Sequence, residues 1–452
     1  MDAEIIVLGA GFAGLSAADA LTRAGRRVLL IEARDRVGGR TRTEHYGDDL
    51  WLDLGGQWLG PGQTHMYALA ARFGKTVWPM HVAGQNVLLV NRRRRTYRGL
   101  IPWRVSPWAL ANIAWGFLRL EQLARRVSLD APWKTPGAAD LDGQTMGDWM
   151  RRNLHSRVAF NVLRVAVESV FAAHPDDISL LHALFYLHSG GGLASLTSSR
   201  NGAQQDRVTG GLQGLAGALA ADLEEQQVPL LLSQPVQVVE QTGNRVRVHT
   251  SAARYEAARV ICALPPVLAA AVDFRPGQPV ARQRWCEQLT PGRVIKCFAV
   301  YDRPFWREQG LSGAAVGDLP PVHVAFDATP PGSQRGVLMA FIEGRAAHQW
   351  GLASMAERQR VVTASLGRFF GPRAQQPLQY LDHVWADEIW SRGCYAGVAG
   401  PGLLSRYGES MRVPHGRVHW AGTETASHWN GYVEGAVRSG LRAADEVLQL
   451  VR

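Results

Sequence analysis

The chain has 452 residues, 46% of them apolar and 19% charged, with 49 Lys and Arg against 39 Asp and Glu for a formal net charge of +10. These values describe a globular chain long enough for two or three domain-sized cores, and they exclude intrinsic disorder and a small disulfide scaffold. Cys262, Cys286, Cys297 and Cys394 form no CxxC pair, which argues against structural zinc and for a reducing cytoplasm. The positive charge does not point to nucleic acid, because the lysines are only Lys75, Lys134 and Lys296 and the arginines are scattered. No apolar run reaches the eighteen or so residues of a membrane span, and neither end reads as a signal or an anchor.

From the N-terminus, "EIIVL" (Glu4 to Leu8) reads as a buried strand and GAGFAG follows at Gly9 to Gly14. A helical pattern then runs from Leu15 to Ala24, and a second strand, "RVLLIE", ends at Glu32. This is a βαβ opening. Gly9 permits the tight turn, Gly11 lets backbone N–H groups approach a pyrophosphate, and Gly14 lets the helix pack close to the strand. The helix N-terminus faces the phosphates, and Glu32, about 20 residues on, is placed to accept hydrogen bonds from ribose hydroxyls. The pattern leaves NAD and FAD both open. In "ARDRVGGRTRT", which comes next, Arg36, Gly38, Gly39 and Arg40 set guanidinium groups beside a glycine turn, and arginine binds phosphate with two parallel hydrogen bonds.

Further along, Arg92 to Arg95 lie between "VLLV" and "TYRGLI" and read as the polar turn of a hairpin. Helical patterns follow in "WALANIAWGFLRLEQLARRV" and "DISLLHALFYLH", and strand-rich sequence returns between Val228 and Pro266. Lys296 interrupts the apolar strand "RVIKCFAV". A buried ammonium is costly unless paired or useful, so the residues alone leave a strand-edge lysine reaching solvent and a functional amine equally open. Cys394 in "SRGCY" reads by itself as a small buried cysteine. The stretch "WAGTETASHWNGYVEGAVRSGLRAADEVL" joins a Gly-Thr-Glu turn to a helical tail, and its backbone N–H groups can serve a second part of the same cofactor. His415 and His419 stand four apart, but Pro414 and Gly416 argue against a shared helical face, and no metal or acyl-transfer motif is expected.

Taken in order, GAGFAG, "EARDRVGGRT", "LDLGGQWLGPGQ", "NGAQQDRVTGG", "RVIKCFAVYDRPFW", "WSRGCYAG" and "AGTETASHWNGYVEGA" resemble the flavin-containing amine oxidase family, the monoamine oxidases most closely. The resemblance implies an α/β fold. A Rossmann-like FAD-binding domain from 1–78, 208–286 and 388–452 intermingles with an α+β substrate domain from 79–207 and 287–387. It implies FAD rather than NAD, contacted first by Gly9, Gly11, Ala13 and Gly14, then by Glu32, Ala33, Arg34, Gly39 and Arg40. Gly55, Gly56, Gln57, Trp58 and Val236 follow in the middle of the chain, and Trp390, Gly422, Thr423, Glu424 and Val433 near its end. Cys394 would carry a bond from its sulfur to the flavin 8α-methyl group, although Arg392 stands where a glycine is usual.

By the same resemblance, Lys296 would hold a water against flavin N5 and assist reoxidation by oxygen. Tyr395 and Tyr432 would flank the substrate amine, whose nitrogen suits their electron-rich faces. Gln204, Val324 and Phe341 would line the substrate pocket, with Val324 where human-type enzymes carry a larger gating side chain. The implied reaction oxidises a small or arylalkyl primary amine to imine and aldehyde while O2 becomes H2O2. Alternatives are an L-amino-acid oxidase, a putrescine or polyamine oxidase, a flavin desaturase and a non-catalytic FAD-binding scaffold. The first needs a cation for the carboxylate, the second an acidic group in the pocket, and the desaturase needs no tyrosine pair. The expected partners are the amine and O2, with a homodimer left open.

Overall fold

A computed structural model describes residues 3–47, 49–99 and 105–450. Its first layer is a parallel sheet in the order Val418–Trp420, Arg259–Cys262, Ile5–Leu8, Val28–Ile31, Leu230–Leu231. Ile5 to Leu8 are fully buried, as expected for a central parallel strand covered on both faces. Helix Phe12–Arg23 begins three residues earlier than its apolar pattern, because Gly11 is its N-cap and Gly14 already lies inside it. A Cβ on Gly14 would sit 1.8 Å from the Gly9 carbonyl oxygen, so only glycine admits this helix so close to the strand it follows. Helix Val433–Leu450 packs across the first helix at an equally tight point, where a Cβ on Gly440 would sit 2.1 Å from the Ala13 carbonyl oxygen. Beside this layer lies a four-stranded sheet in the order Arg254–Ala257, Arg245–Thr250, Val236–Thr242, Asp273–Arg275.

The second layer is a seven-stranded sheet in the order Gln379–Val384, Val294–Tyr301, Gly336–Glu343, Val324–Asp327, Leu311–Gly317, Gln85–Val90, Arg93–Tyr97. All pairs are antiparallel except Leu311–Gly317 with Gln85–Val90. Strands Val294–Tyr301 and Gly336–Glu343 are buried at every position, and the period-two alternation of a strand divides their side chains between two cores. Ile295, Cys297, Ala299 and Tyr301 join Leu338, Ala340 and Ile342 against Phe305, Trp306, Phe369 and Phe370. On the opposite face Val294, Phe298, Met339 and Phe341 meet Trp58, Cys394 and Tyr395. Each large apolar side chain removed from water this way contributes roughly 1.5–3 kcal/mol before the entropy of ordering it is subtracted.

Helices Pro107–Ala124, Met146–Asn153, Arg157–Phe171 and Leu180–Ser189 pack together beside the sheets. Each starts at a hydroxyl N-cap, Ser106, Thr145, Ser156 and Ser179 respectively, whose oxygen accepts an orphan N–H of the first turn. In the hairpin expected around Arg92, the turn is Asn91–Arg92, both at positive φ. Arg93, Arg94 and Arg95 are not in the turn but form the outer strand, where charge blunts a sheet edge. Leu100 and Ile101, which the expected hairpin included, lie outside the described residues. Among the described residues no helix is long and apolar enough to cross a membrane, and no cluster of three His, Cys, Asp or Glu is arranged to hold a metal.

Candidate active site

One cavity of about 650 Å³ runs between the two layers, and it collects residues from almost the whole length of the chain. At the parallel-sheet end its wall includes Gly9, Gly11, Ala13, Glu32, Ala33, Arg34, Gly39 and Arg40. Gly55, Gly56, Gln57, Trp58, Val236, Trp390, Cys394, Gly422, Thr423 and Val433 continue it. Lys296, Gln204, Phe341, Tyr395 and Tyr432 line the same cavity. Three expected contact residues do not. Gly14 serves the helix–strand approach, Glu424 is buried behind the wall, and Val324 is buried beside its cross-strand partner Phe341.

The dinucleotide cradle follows from local chain geometry. Gly9 has φ +96° and Gly422 φ +116°, conformations that side-chain-bearing residues avoid. Gly11 has an ordinary φ of −74°, and a Cβ there would meet nothing nearer than 3.8 Å, so no protein atom demands glycine at this point of the wall. Room for a bound group does. The Glu32 carboxylate accepts the Ala10 N–H at 2.6 Å and the Arg34 N–H at 2.9 Å, which aims it across the helix N-terminus and leaves lone pairs for ribose hydroxyls. Gln57 Nε2, Trp58 Nε1 and Arg34 Nε are buried without a protein partner, and all three belong to cavity-lining residues. Donors so placed suit a ligand rich in acceptors.

Arg40 is fixed in place by donating to both oxygens of Glu424 at 2.6 and 3.0 Å and to the Tyr395 carbonyl at 2.9 Å. Burial opposes the Glu424 charge, but the Arg40 guanidinium holds this carboxyl below its usual range. Glu424 thus acts on the cavity through Arg40.

Lys296 is 3% exposed in a strand paired on both sides, so it is not the strand-edge residue that one sequence reading allowed. Its ammonium donates to the carbonyl oxygens of Asp53 at 2.5 Å and Gly55 at 2.8 Å and to Gln57 Oε1 at 2.6 Å. Burial pulls its pKa down to about 7, Asp53 works against that shift, and Arg207 adds to it. Protein oxygens thus meet all three donors of a charged Lys296. Its charge remains at the cavity wall.

Tyr395 stands edge-on to Phe341, at 6.5 Å between ring centroids, and Tyr432 lies 5.9 Å from Tyr186 and 5.2 Å from Trp429. Burial raises both phenol pKa values, Tyr395 well above the usual 10, so the rings stay neutral. Cys394 is buried, and burial pushes its thiol up to about 12 while Arg40 and Lys296 pull it back. Sequence reasoning missed Tyr186, Ser169 and Val170, which also line the cavity. Tyr186 lies in a helix buried on nearly every side, so periodicity could not say which face meets the cavity, although Gly431, whose Cβ would strike Tyr186 at 2.4 Å, records the close approach.

A family model for flavin containing amine oxidoreductases matches residues 12–448. The chain belongs to this family. Being a flavin-containing amine oxidoreductase, it is similar over most of its length to relatives of known name. It is 39% identical, over 99% of its own length and 97% of the other, to a Mycobacterium tuberculosis protein that carries the name flavin-containing monoamine oxidase AofH. Among solved structures it superposes on putrescine oxidase bound to putrescine with a TM-score of 0.95, at 32% identity and 99% coverage of both chains. Cyclohexylamine oxidase from Brevibacterium oxydans follows with a TM-score of 0.93, 30% identity and full coverage of both. The βαβ cradle, the buried donors around it and the depth of the cavity are the parts of this structure that suit FAD, in keeping with that family.

Proposed function

We propose that this protein oxidises a primary arylalkyl or small alkyl amine to its imine, which hydrolyses to aldehyde and ammonia while O2 becomes H2O2. FAD, when bound, supplies the chemistry by accepting hydride from the amine carbon and passing both electrons to oxygen. Gly9, Gly11, Ala13, Glu32, Arg34, Gly55 to Trp58, Val236, Trp390, Gly422, Thr423 and Val433 would hold the cofactor. Cys394 would fix it through a thioether. In this reading 1–78, 208–286 and 388–452 serve the cofactor and 79–207 and 287–387 the substrate. Tyr395 and Tyr432 orient the uncharged amine, Trp58, Phe341 and Val170 shelter its hydrocarbon part from water, and Lys296 presents positive charge for the oxygen half-reaction. A cytoplasmic location suits the four free cysteines, and a homodimer completes the reading.

The observation that carries the monoamine reading is the state of the charges lining the cavity. Arg34 donates to Glu388 and Ser391, Arg40 to Glu424, and Lys296 to three oxygens, so these cations are engaged. Arg392 is exposed to solvent, in the turn that carries Ser391. Among the described residues the only carboxylate in the lining is Glu32, which belongs to the cradle. A substrate carboxylate finds no free cation beside the tyrosines and a second ammonium no facing anion, which disfavours amino acids and diamines.

A peroxide-coupled assay with benzylamine, cyclohexylamine, putrescine and L-amino acids tests this. The two monoamines should be turned over best, and preferred turnover of an L-amino acid or putrescine would overturn the assignment. Replacing both tyrosines by Leu, which removes the ring faces, should lower kcat/KM for benzylamine by about tenfold, the worth of roughly 1.4 kcal/mol, with flavin still bound; unchanged kinetics would remove their role.

A further inference from the structure

Glu343 closes the strand Gly336–Glu343, two residues after Phe341 and therefore on the same sheet face, the one turned toward the cavity. It pairs across the sheet with Val294, as Phe341 pairs with Lys296. The side chain is 3% exposed and, among the described residues, no arginine, lysine or histidine pairs with it; Glu168 is a like charge nearby. Glu168 itself sits among Arg164, His174 and His323. The partners of Glu343 are two hydroxyls: Tyr395 donates to Oε1 at 2.9 Å and Ser169 donates to Oε2 at 3.2 Å. Both donors line the cavity, whereas Glu343 lies behind them. Burial pushes its carboxyl up to about 8, the Tyr395 and Ser169 hydrogen bonds work against that shift, and Glu168 adds to it.

A buried carboxyl without a cation is costly, so its persistence in an otherwise apolar strand calls for a role that an apolar residue could not fill. Two cavity-wall hydroxyls converging on one carboxyl provide it. A phenol that donates its O–H backward is held at its far end, cannot turn that hydroxyl toward the cavity, and presents its ring face instead. We propose that Glu343 is a positioning residue of the amine half-reaction: by accepting the hydroxyls of Tyr395 and Ser169 it fixes the phenol face against which the substrate is oriented. This rests on the reading above in which Tyr395 meets the amine.

The test is a double-mutant cycle on the flavin-loaded protein, with anaerobic flavin reduction by benzylamine as one readout and the 13Cζ resonance of Tyr395 as the other. The resonance is identified by its loss in Tyr395→Phe. Glu343→Leu should slow flavin reduction by about tenfold, the worth of one buried hydrogen bond, and Glu343→Gln, which keeps an acceptor, by about threefold. In a Tyr395→Phe background the Leu substitution should cost less than about twofold, because the hydroxyl it acts on is gone. The Tyr395 resonance should move in Glu343→Leu. Equal losses in both backgrounds, an unmoved resonance, or a wild-type rate in Glu343→Leu would overturn the positioning role. If Glu343→Leu does not fold, Glu343→Gln in the two backgrounds closes the same cycle with a smaller expected ratio. Wild-type flavin that no amine reduces would instead sink the amine-oxidation reading itself.

Discussion

Lys296 joins a low proton affinity to three short hydrogen bonds, and the two pull in opposite directions. Three oxygen acceptors around one nitrogen favour the ammonium, while its burial favours the neutral amine, and the balance sits at about 7. The charge is therefore present below that pH and lost above it. If it stabilises charge developing on oxygen, the rate constant for flavin reoxidation should fall as pH rises through about 7. Lys296→Met should give a flat profile, slower than the wild type at low pH by roughly 100-fold. Stopped-flow mixing of reduced protein with oxygen reads both, and a pH-independent wild-type rate would remove the electrostatic role. The identity of this lysine was legible because it breaks an apolar run; its central place in the sheet was not, since strand order is set by pairings far apart in sequence. Glu343 escaped notice for the opposite reason. A glutamate at the end of "GVLMAFIE" looks like any strand terminus, and only the fold brings Tyr395 and Ser169 to it.

The opening strand–helix–strand was legible because every signal in it is local: a buried run, glycines at fixed spacing, a helical stripe and an acidic end. Its start was displaced by three residues because Phe12, Ala13 and Gly14 are helical before the apolar stripe becomes regular. What the sequence did not disclose is how the last helix crosses the first. That crossing depends on Gly440, which lies against the Ala13 carbonyl, two turns into a helix that otherwise reads only as amphipathic. Gly440→Ala should force the two helices apart and destabilise the protein by about 1–3 kcal/mol, the usual cost of an overpacked contact. Because Ala13 and Val433 both line the cavity, the same substitution should lower the ratio of flavin to protein after purification. A melting temperature and flavin content equal to the wild type would show that the helices absorb the methyl group.

At the scale of the whole molecule, the cavity lies between a parallel sheet and a largely antiparallel one, and each contributes walls that the other lacks. Family order along the chain made the general architecture legible. The parallel pairing of Gln85–Val90 with Leu311–Gly317 was not, because more than two hundred residues separate its strands. A ligand filling such a space stabilises the folded state by mass action, by about 4 kcal/mol at a thousandfold excess over its dissociation constant. In a Cys394→Ala variant, which cannot form the thioether, protein stripped of flavin should melt several degrees lower, with added FAD restoring the difference. A thioether at Cys394 would keep yellow colour in the acid-precipitated pellet, whereas full release into the supernatant would exclude the bond.

Because the cavity takes its wall from Gly9 near one terminus and from Val433 and Ala436 near the other, no partial chain can enclose a prosthetic group. Until the helix Val433–Leu450 is in place, the rest of the wall forms a half-built groove open to solvent. Enclosure of the flavin therefore awaits that helix, and a protein lacking Val433–Leu450 should emerge colourless from the cell.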